Sequence, residues 1–300
     1  MTLTELHYLI AVAREKHFGR AAQHCHVSQP TLSMGINKLE SKLGVNVFER
    51  HHNDIRITEI GKKIVTQAQR VLEEATALKT IANTGRSQLN TPLSIGAIHT
   101  VGPYLFPVLL PKLNKIAPQM PLIIQEDFTK NLRNKLQQGQ LDLIFISLPF
   151  SETSVLTKPL YQEPFVILMK KDHPLGKKIS LKNEDLKNEN VLLLGEDHCF
   201  RKQIIDACPD CQNSNNWQQT IEGTSLETLR HMVASGLGMT ILPSSATQIK
   251  YYQKTLCVKP FKNSSPSRTI ALAWRVSFPR PKAIDAVIKA MQACKFNPLP

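Results

Sequence analysis

The chain lacks a basic start followed by an apolar run and a small-residue cleavage site, so no secretory signal is expected at its beginning. It has no apolar run of membrane-spanning length, no internal repeat and no low-complexity tract. Extended disorder is excluded on composition: 42% of residues are apolar and 20% charged across 300 residues, enough to offset ordering entropy in more than one core. Acidic residues are in deficit, 24 against 37 Lys and Arg, for a net charge of +13. Such an excess favours polyanions. It does not locate their site, since residues 1–90 hold 12 basic against 8 acidic residues and the remainder 25 against 16. A cytoplasmic protein is expected, in which disulfides are rare unless transient and redox-sensing.

Local patterns divide the chain in three. Thr2 and Glu5 have capping-box spacing ahead of an apolar stripe, which predicts a helix over about 3–14. A short helix fits 18–25, and Ser28 caps a third whose stripe Leu32, Ile36, Leu39, Leu43 stops at Gly44. Residues 47–57 read as two extended pieces around a turn at 51–54, a wing. From Thr58 to Ala82 apolar residues step by three and four, one long helix with a seam that calls for a partner helix. Residues 83–92 read as a linker. Beyond it, β-prone runs at 93–98, 121–128, 141–148, 165–169, 191–194, 239–242 and 269–274 alternate with helical stretches, which predicts α/β architecture with mixed, largely parallel sheets. Thr224 and Glu227 have the spacing of a further capping box.

A helix, a second short helix, a tight turn at His26-Val27 and a third helix opening Ser28-Gln29-Pro30-Thr31 fit a helix-turn-helix, although spacing alone fits an ordinary helical corner equally well. The residues themselves say more. Phe18-Gly19-Arg20-Ala21-Ala22, Val27-Ser28-Gln29-Pro30-Thr31-Leu32-Ser33, Phe48-Glu49-Arg50 and Thr58-Glu59-Ile60-Gly61 closely resemble the N-terminal signature of LysR-type transcription regulators, and Gly238-Met239-Thr240-Ile241-Leu242-Pro243 resembles a late motif of the same family. The resemblance implies a winged helix-turn-helix DNA-binding domain over 1–57 and a dimerising linker helix and hinge over 58–90. It also implies a two-lobed regulatory domain, like periplasmic solute-binding proteins, over 91–300, with lobe I at about 91–161 and 268–300 and lobe II at about 162–267. Position by position it nominates Ser28, Gln29, Pro30, Thr31 and Ser33 for the recognition helix, Lys38 and Arg50 as phosphate contacts, and Arg56 in the wing. The partners implied are double-stranded promoter DNA, a second copy of the chain in a dimer or tetramer, and RNA polymerase.

Of six cysteines, Cys25, Cys257 and Cys294 read as small apolar residues. Cys199 follows Glu196-Asp197-His198 and precedes Arg201-Lys202, a setting of cationic and hydrogen-bonding groups that suits a reactive thiol. Residues 194–208 and 224–234 resemble the peroxide-sensing branch of the family. That resemblance makes Cys199 the peroxidatic thiol and Cys208 the resolving one, with hydrogen peroxide as signal and Thr100, Thr129, His198 and Arg268 as the groups that hold peroxide and activate the thiol. Asp197, a carboxylate beside Cys199, would disfavour a thiolate unless it points away. Cys211 lies close enough in sequence to compete with Cys208.

Other readings of the same residues are a thioredoxin-like Cys-x-x-Cys at 208–211, a zinc site and a thiol peroxidase. The first lacks the strand-to-helix setting of such centres, and the second needs adjacent His198 and Cys199 to face one ion. No metal or cofactor is expected, and no enzyme. The remaining alternative is a regulator that binds a small organic effector between its lobes, with the two cysteines incidental. The helical character of 200–207 predicts that a 199–208 disulfide requires this segment to unwind.

Overall fold

The computed structural model describes residues 1–51, 54–82, 88–209, 223–247, 254–262 and 265–294. The chain forms two units, Met1–Ser87 with Ser277–Pro279, and Gln88–Val276 with Arg280–Pro300.

In the first unit, α1 (Leu3–Glu15) carries the expected capping box, with Thr2 and Glu5 each accepting from the other's backbone N–H. α2 (Phe18–His24) starts at a residue the sequence pattern missed: the His17 ring Nδ1 accepts from the N–H groups of Gly19 and Arg20 at 3.1 and 3.3 Å. α3 (Gln29–Leu43) has Ser28 as N-cap and ends at Gly44, whose φ of +70° suits glycine. Leu6, Leu9, Val12, Ala21, Leu32, Ile36 and Leu39 form the core. Gly35 admits Tyr8, whose ring would lie 2.7 Å from any Cβ there.

β1 (Phe48–His51) and β2 (Asp54–Ile57) form the antiparallel wing. It is pinned by buried Glu40, which accepts from the N–H groups of Val47 and Phe48 at 2.7 and 3.1 Å. α4 (Glu59–Ala82) begins where the Thr58 hydroxyl accepts from the Gly61 N–H. Gly61 is required there, because a Cβ would stand 2.4 Å from the Val47 carbonyl oxygen.

The second unit is built on one eight-stranded sheet, ordered β4-β3-β5-β10-β6-β8-β7 with β9 also on β6. The strands are β3 (Leu93–Ile98), β4 (Leu122–Asp127), β5 (Leu143–Ser147), β6 (Val155–Lys170), β7 (Val191–Leu192), β8 (Met239–Pro243), β9 (Leu256–Pro260) and β10 (Ser267–Arg275). Its helices are α5 (Gly102–Ile116), α6 (Thr129–Gln137), α7 (Cys199–Ala207), α8 (Leu226–Ala234) and α9 (Pro281–Gln292).

Two expectations are corrected. β3 pairs in parallel with β4 and β5, and β7 with β8, but all pairings of β6 and β10 are antiparallel, so the sheet is mixed without being largely parallel. The cause is β6, sixteen residues long, which pairs with β10 along its first part and with β8 and β9 along its second. The N-cap of α8 is Ser225, which accepts from the Thr228 N–H at 3.1 Å, and not Thr224.

Candidate functional site

The parallel strands β3 and β4 end side by side at Ile98 and Asp127, and the residues that follow them form one wall of a small cavity. Carboxyl ends of strands are where α/β sheets leave room for ligands. Ile98, His99 and Thr100 come from the end of β3 and the turn after it, and Asp127, Phe128 and Thr129 from the end of β4 and the start of α6. Asp197, His198 and Cys199 close the cavity at the start of α7. The cavity measures about 10 Å³. That is about the threshold for holding one water-sized molecule.

Three of the four groups nominated alongside Cys199 therefore meet it here: Thr100, Thr129 and His198. The Thr129 hydroxyl oxygen is buried with no hydrogen-bond partner among the described residues. The Thr100 hydroxyl accepts from Arg268 Nη1 at 2.7 Å, which leaves its own proton to donate. His198 is buried and its Nε2 lies 3.2 Å from the Thr224 carbonyl oxygen. A carbonyl only accepts, so Nε2 carries the proton and the neutral ring keeps Nδ1 as an acceptor. Burial, first, and the His99 ring, second, push the His198 pKa down and hold this neutral form.

Cys199 is the first residue of α7, and Thr129 the first of α6. Neither helix has a side-chain cap, so unsatisfied N–H groups and the positive ends of two dipoles favour an anion in the cavity. Asp197 lines the same cavity but is exposed, where solvent screens its charge.

Arg268 is not part of the lining. It is buried, 3% exposed, and its guanidinium donates to Glu163 Oε2 at 2.7 Å and to the Thr100 hydroxyl and carbonyl oxygens at 2.7 and 2.8 Å. It lies 4.9 Å from the centre of the Phe200 ring on α7. Glu163, not foreseen from sequence, also accepts from the Ser245 N–H. Arg268 thus holds Thr100 from behind and touches α7.

Cys199 and Cys208 stand at opposite ends of α7, both as thiols. Nine residues at 1.5 Å rise place them about 13 Å apart along the axis, against the roughly 7 Å that a disulfide spans. Cys208 is buried in a core with Phe200, Ile204 and Leu226. Gln203 ties the middle of the helix down, donating to the Ser147 hydroxyl at 2.8 Å and to the Leu148 carbonyl at 3.3 Å. Cys211 lies outside the described residues.

At the start of α3, Ser28, Gln29, Pro30 and Thr31 are exposed, as is Lys38, while Ser33 is half-buried. The Ser28 hydroxyl is engaged, accepting from the Thr31 N–H at 3.3 Å and lying 2.7 Å from the Thr31 hydroxyl. Arg56 is exposed on β2, and the Arg50 side chain lies outside the described residues.

Comparison with known proteins covers both units. Residues 3–62 match the model of the bacterial regulatory helix-turn-helix protein, lysR family, and residues 86–294 that of the LysR substrate binding domain. A hydrogen peroxide-inducible genes activator of Dickeya chrysanthemi is 38% identical over 279 residues, 93% of this chain and 91% of that protein. A full-length OxyR from Pseudomonas aeruginosa, bearing a cysteine-to-aspartate mutation, is 51% identical and superposes with a TM-score of 0.83 over 100% of this chain and 99% of its own. An OxyR mutant of Corynebacterium glutamicum with hydrogen peroxide bound is 30% identical, with a TM-score of 0.65 over 98% of this chain and 92% of its own.

Proposed function

The chain belongs to the LysR family of bacterial helix-turn-helix regulators, and from that premise we propose that it senses hydrogen peroxide at Cys199 and converts the signal, through a Cys199–Cys208 disulfide, into altered promoter binding. The observation that carries this is the cavity at Cys199. At about 10 Å³ it suits a ligand of a few atoms, whereas pockets for organic effectors start at roughly 300 Å³. Its polar lining, two hydroxyls, a neutral imidazole and two uncapped helix ends, matches what a hydroperoxide needs as donors and acceptors.

The chemistry is stoichiometric. The Cys199 thiolate attacks one peroxide oxygen, the O–O bond breaks, and hydroxide leaves to give a sulfenic acid. The Cys208 thiol then displaces water from that sulfur to form the disulfide, which spares Cys199 from irreversible overoxidation. An external thiol restores the pair after each cycle, and the helix-turn-helix on the same chain supports a switch rather than a peroxidase. The relatives' names as a peroxide-inducible genes activator and as OxyR support the same reading. A DNA-binding role supports a cytoplasmic location, and the relatives' name as an activator supports contact with RNA polymerase. Exposed Ile60 and Leu78 on α4 support pairing with a second copy, and a tetramer would bring two such pairs together.

One equivalent of hydrogen peroxide, followed by disulfide mapping, tests the proposal. The expected product is Cys199–Cys208, absent in Cys199→Ser and unaffected in Cys25→Ser, Cys257→Ser or Cys294→Ser. A transcriptional response to peroxide that survives in Cys199→Ser refutes the redox switch, and a dominant Cys199–Cys211 bond refutes the resolving role of Cys208.

A further inference from the structure

His99 stands in the same cavity as Cys199 and takes no part in the scheme above. Its ring centre lies 6.0 Å from that of His198, and the Phe128 ring meets both imidazoles edge-on, at 5.1 and 4.9 Å. The three rings form one aromatic cluster in the lining of the site. On its far side, His99 Nδ1 faces Glu126 Oε2 at 3.9 Å.

The position of Glu126 is itself built. Its side chain lies over Gly102, the first residue of α5, and a Cβ at position 102 would stand 2.6 Å from Glu126 Oε1. Only glycine admits the carboxylate there, and the positive end of α5 favours its charge. Burial pushes the Glu126 pKa up, and the neighbouring His99 pulls it back down. The remaining charged or titratable groups around His99 are Asp127, exposed Asp197, His198 and Cys199. Asp127 is bound to Lys135 and Asn131, and His198 is held neutral with its one proton on the Thr224 carbonyl.

The cavity therefore contains one imidazole that donates its proton to a carbonyl and one that faces a carboxylate. We propose that His99 is the acid of this cavity, supplying the proton that the departing hydroxide needs as Cys199 attacks peroxide. In that step the S–O bond forms as the O–O bond breaks, the sulfur electron pair is consumed, and the His99 proton passes to the leaving oxygen. The products are Cys199 sulfenic acid, after loss or gain of its exchangeable proton to solvent, and water. Glu126 acts as a positioning residue, its carboxylate oxygen 3.9 Å from His99 Nδ1. His198 accepts at Nδ1, so the two histidines divide acceptor and donor roles. The inference rests on the proposed role of Cys199 as the peroxide-reactive thiol.

The test is single-turnover oxidation of the full-length reduced protein by hydrogen peroxide, followed by rapid thiol trapping across pH 5.5 to 8.5. It compares the wild type with His99→Gln and Glu126→Gln, with Cys199→Ser as a blank. The wild-type rate constant should pass through a maximum with pH, the signature of a thiolate nucleophile working with a general acid. In His99→Gln the high-pH fall should vanish and the maximal rate drop at least tenfold, with an unchanged melting temperature. In Glu126→Gln, which removes the carboxylate facing the ring, the rate should drop less than in His99→Gln while the high-pH fall persists, a split that loss of packing alone would not produce. An unchanged profile in His99→Gln overturns the role of His99 while leaving the sensing reading intact. A wild-type Cys199 that does not react overturns both.

Discussion

Buried polar residues around Cys199 carry free energies large enough to measure singly. His198 is held neutral in the fold, with its pKa pushed below the ordinary value of about 6.5 by burial. In the window between the folded and unfolded values the unfolded chain binds the extra proton. The stability this contributes is therefore present above about pH 6.5 and is lost as pH falls through the folded value. His198→Gln keeps a donor for the Thr224 carbonyl and cannot titrate. Denaturant midpoints at pH 5.5 and 7.5 should lie closer together in this variant than in the wild type, and an equal separation in the two proteins would contradict the linkage.

Glu163→Gln makes a different point. It leaves Arg268 charged and buried without its carboxylate, which costs about 3–5 kcal/mol in such pairs. Because Arg268 also holds both oxygens of Thr100, urea unfolding should show the loss, and the reactivity of Cys199 should fall in molecules that remain folded. At this scale the sequence was informative through resemblance, which named Thr100, Thr129 and His198, all of them in the lining. It was silent on His99 and Phe128, although each directly precedes a nominated threonine. That adjacency, at the ends of two neighbouring parallel strands, was the available signal. Arg268 was nominated with them to hold peroxide and activate the thiol, and it stands behind the lining, donating to Glu163 and Thr100.

Among the elements, α7 is the one whose physical state the proposed Cys199–Cys208 disulfide would change. It buries Phe200 and Ile204, is anchored by Gln203 to Ser147, and separates two thiols that can bond only if it unwinds. Oxidation should strip amide protection from residues 200–207, read by hydrogen exchange with mass detection. Gln203→Ala should raise the rate at which the disulfide closes severalfold, since one restraint on the helix is gone. Equal exchange in reduced and oxidised protein would mean that α7 does not open.

The helices were legible because their caps and apolar spacing are local: Thr2 with Glu5, Ser28, and Gly44. The strands were less so. Only residues 165–169 of β6 read as β, because Pro159 and Pro164 interrupt the pattern of its first part. In the fold Pro159 sits at an irregularity in the pairing with β10, where a missing N–H is tolerated. β9 was missed altogether. Its short run with Lys259 and Pro260 has no clean alternation, and pairing with β6 is what makes it a strand. Thr224 matched the capping-box spacing as well as Ser225 matched a cap, and only the backbone distinguishes them: Leu194 bridges Gly223, and α8 starts at Leu226.

For the whole molecule the consequence of peroxide is read at DNA, and the recognition helix allows folding and binding to be separated. Ser28 has two possible roles, since its hydroxyl caps α3 and also stands at the exposed end that the family resemblance assigns to DNA. Ser28→Ala removes the cap and should cost about 1 kcal/mol of stability, so weakened binding in that variant is ambiguous. Ser28→Asp resolves it, because aspartate caps a helix as well as serine does and its charge suits the helix N-terminus. The same carboxylate faces the phosphates if this end enters the major groove, and it repels them. The expected outcome is a melting temperature within a degree or two of wild type, with affinity for promoter DNA and for unrelated duplex both lost.

Lys38 is exposed and has no role in the core, so Lys38→Ala should leave stability unchanged and weaken all sequences alike. If it contacts one phosphate, the slope of log affinity against log salt should fall by about 1. Fluorescence anisotropy with a labelled promoter fragment, at four salt concentrations and in both redox states, measures each quantity. A Ser28→Asp protein that binds like wild type would remove α3 from the DNA interface, and a Lys38→Ala protein with an unaltered salt slope would remove Lys38 from the phosphate contacts.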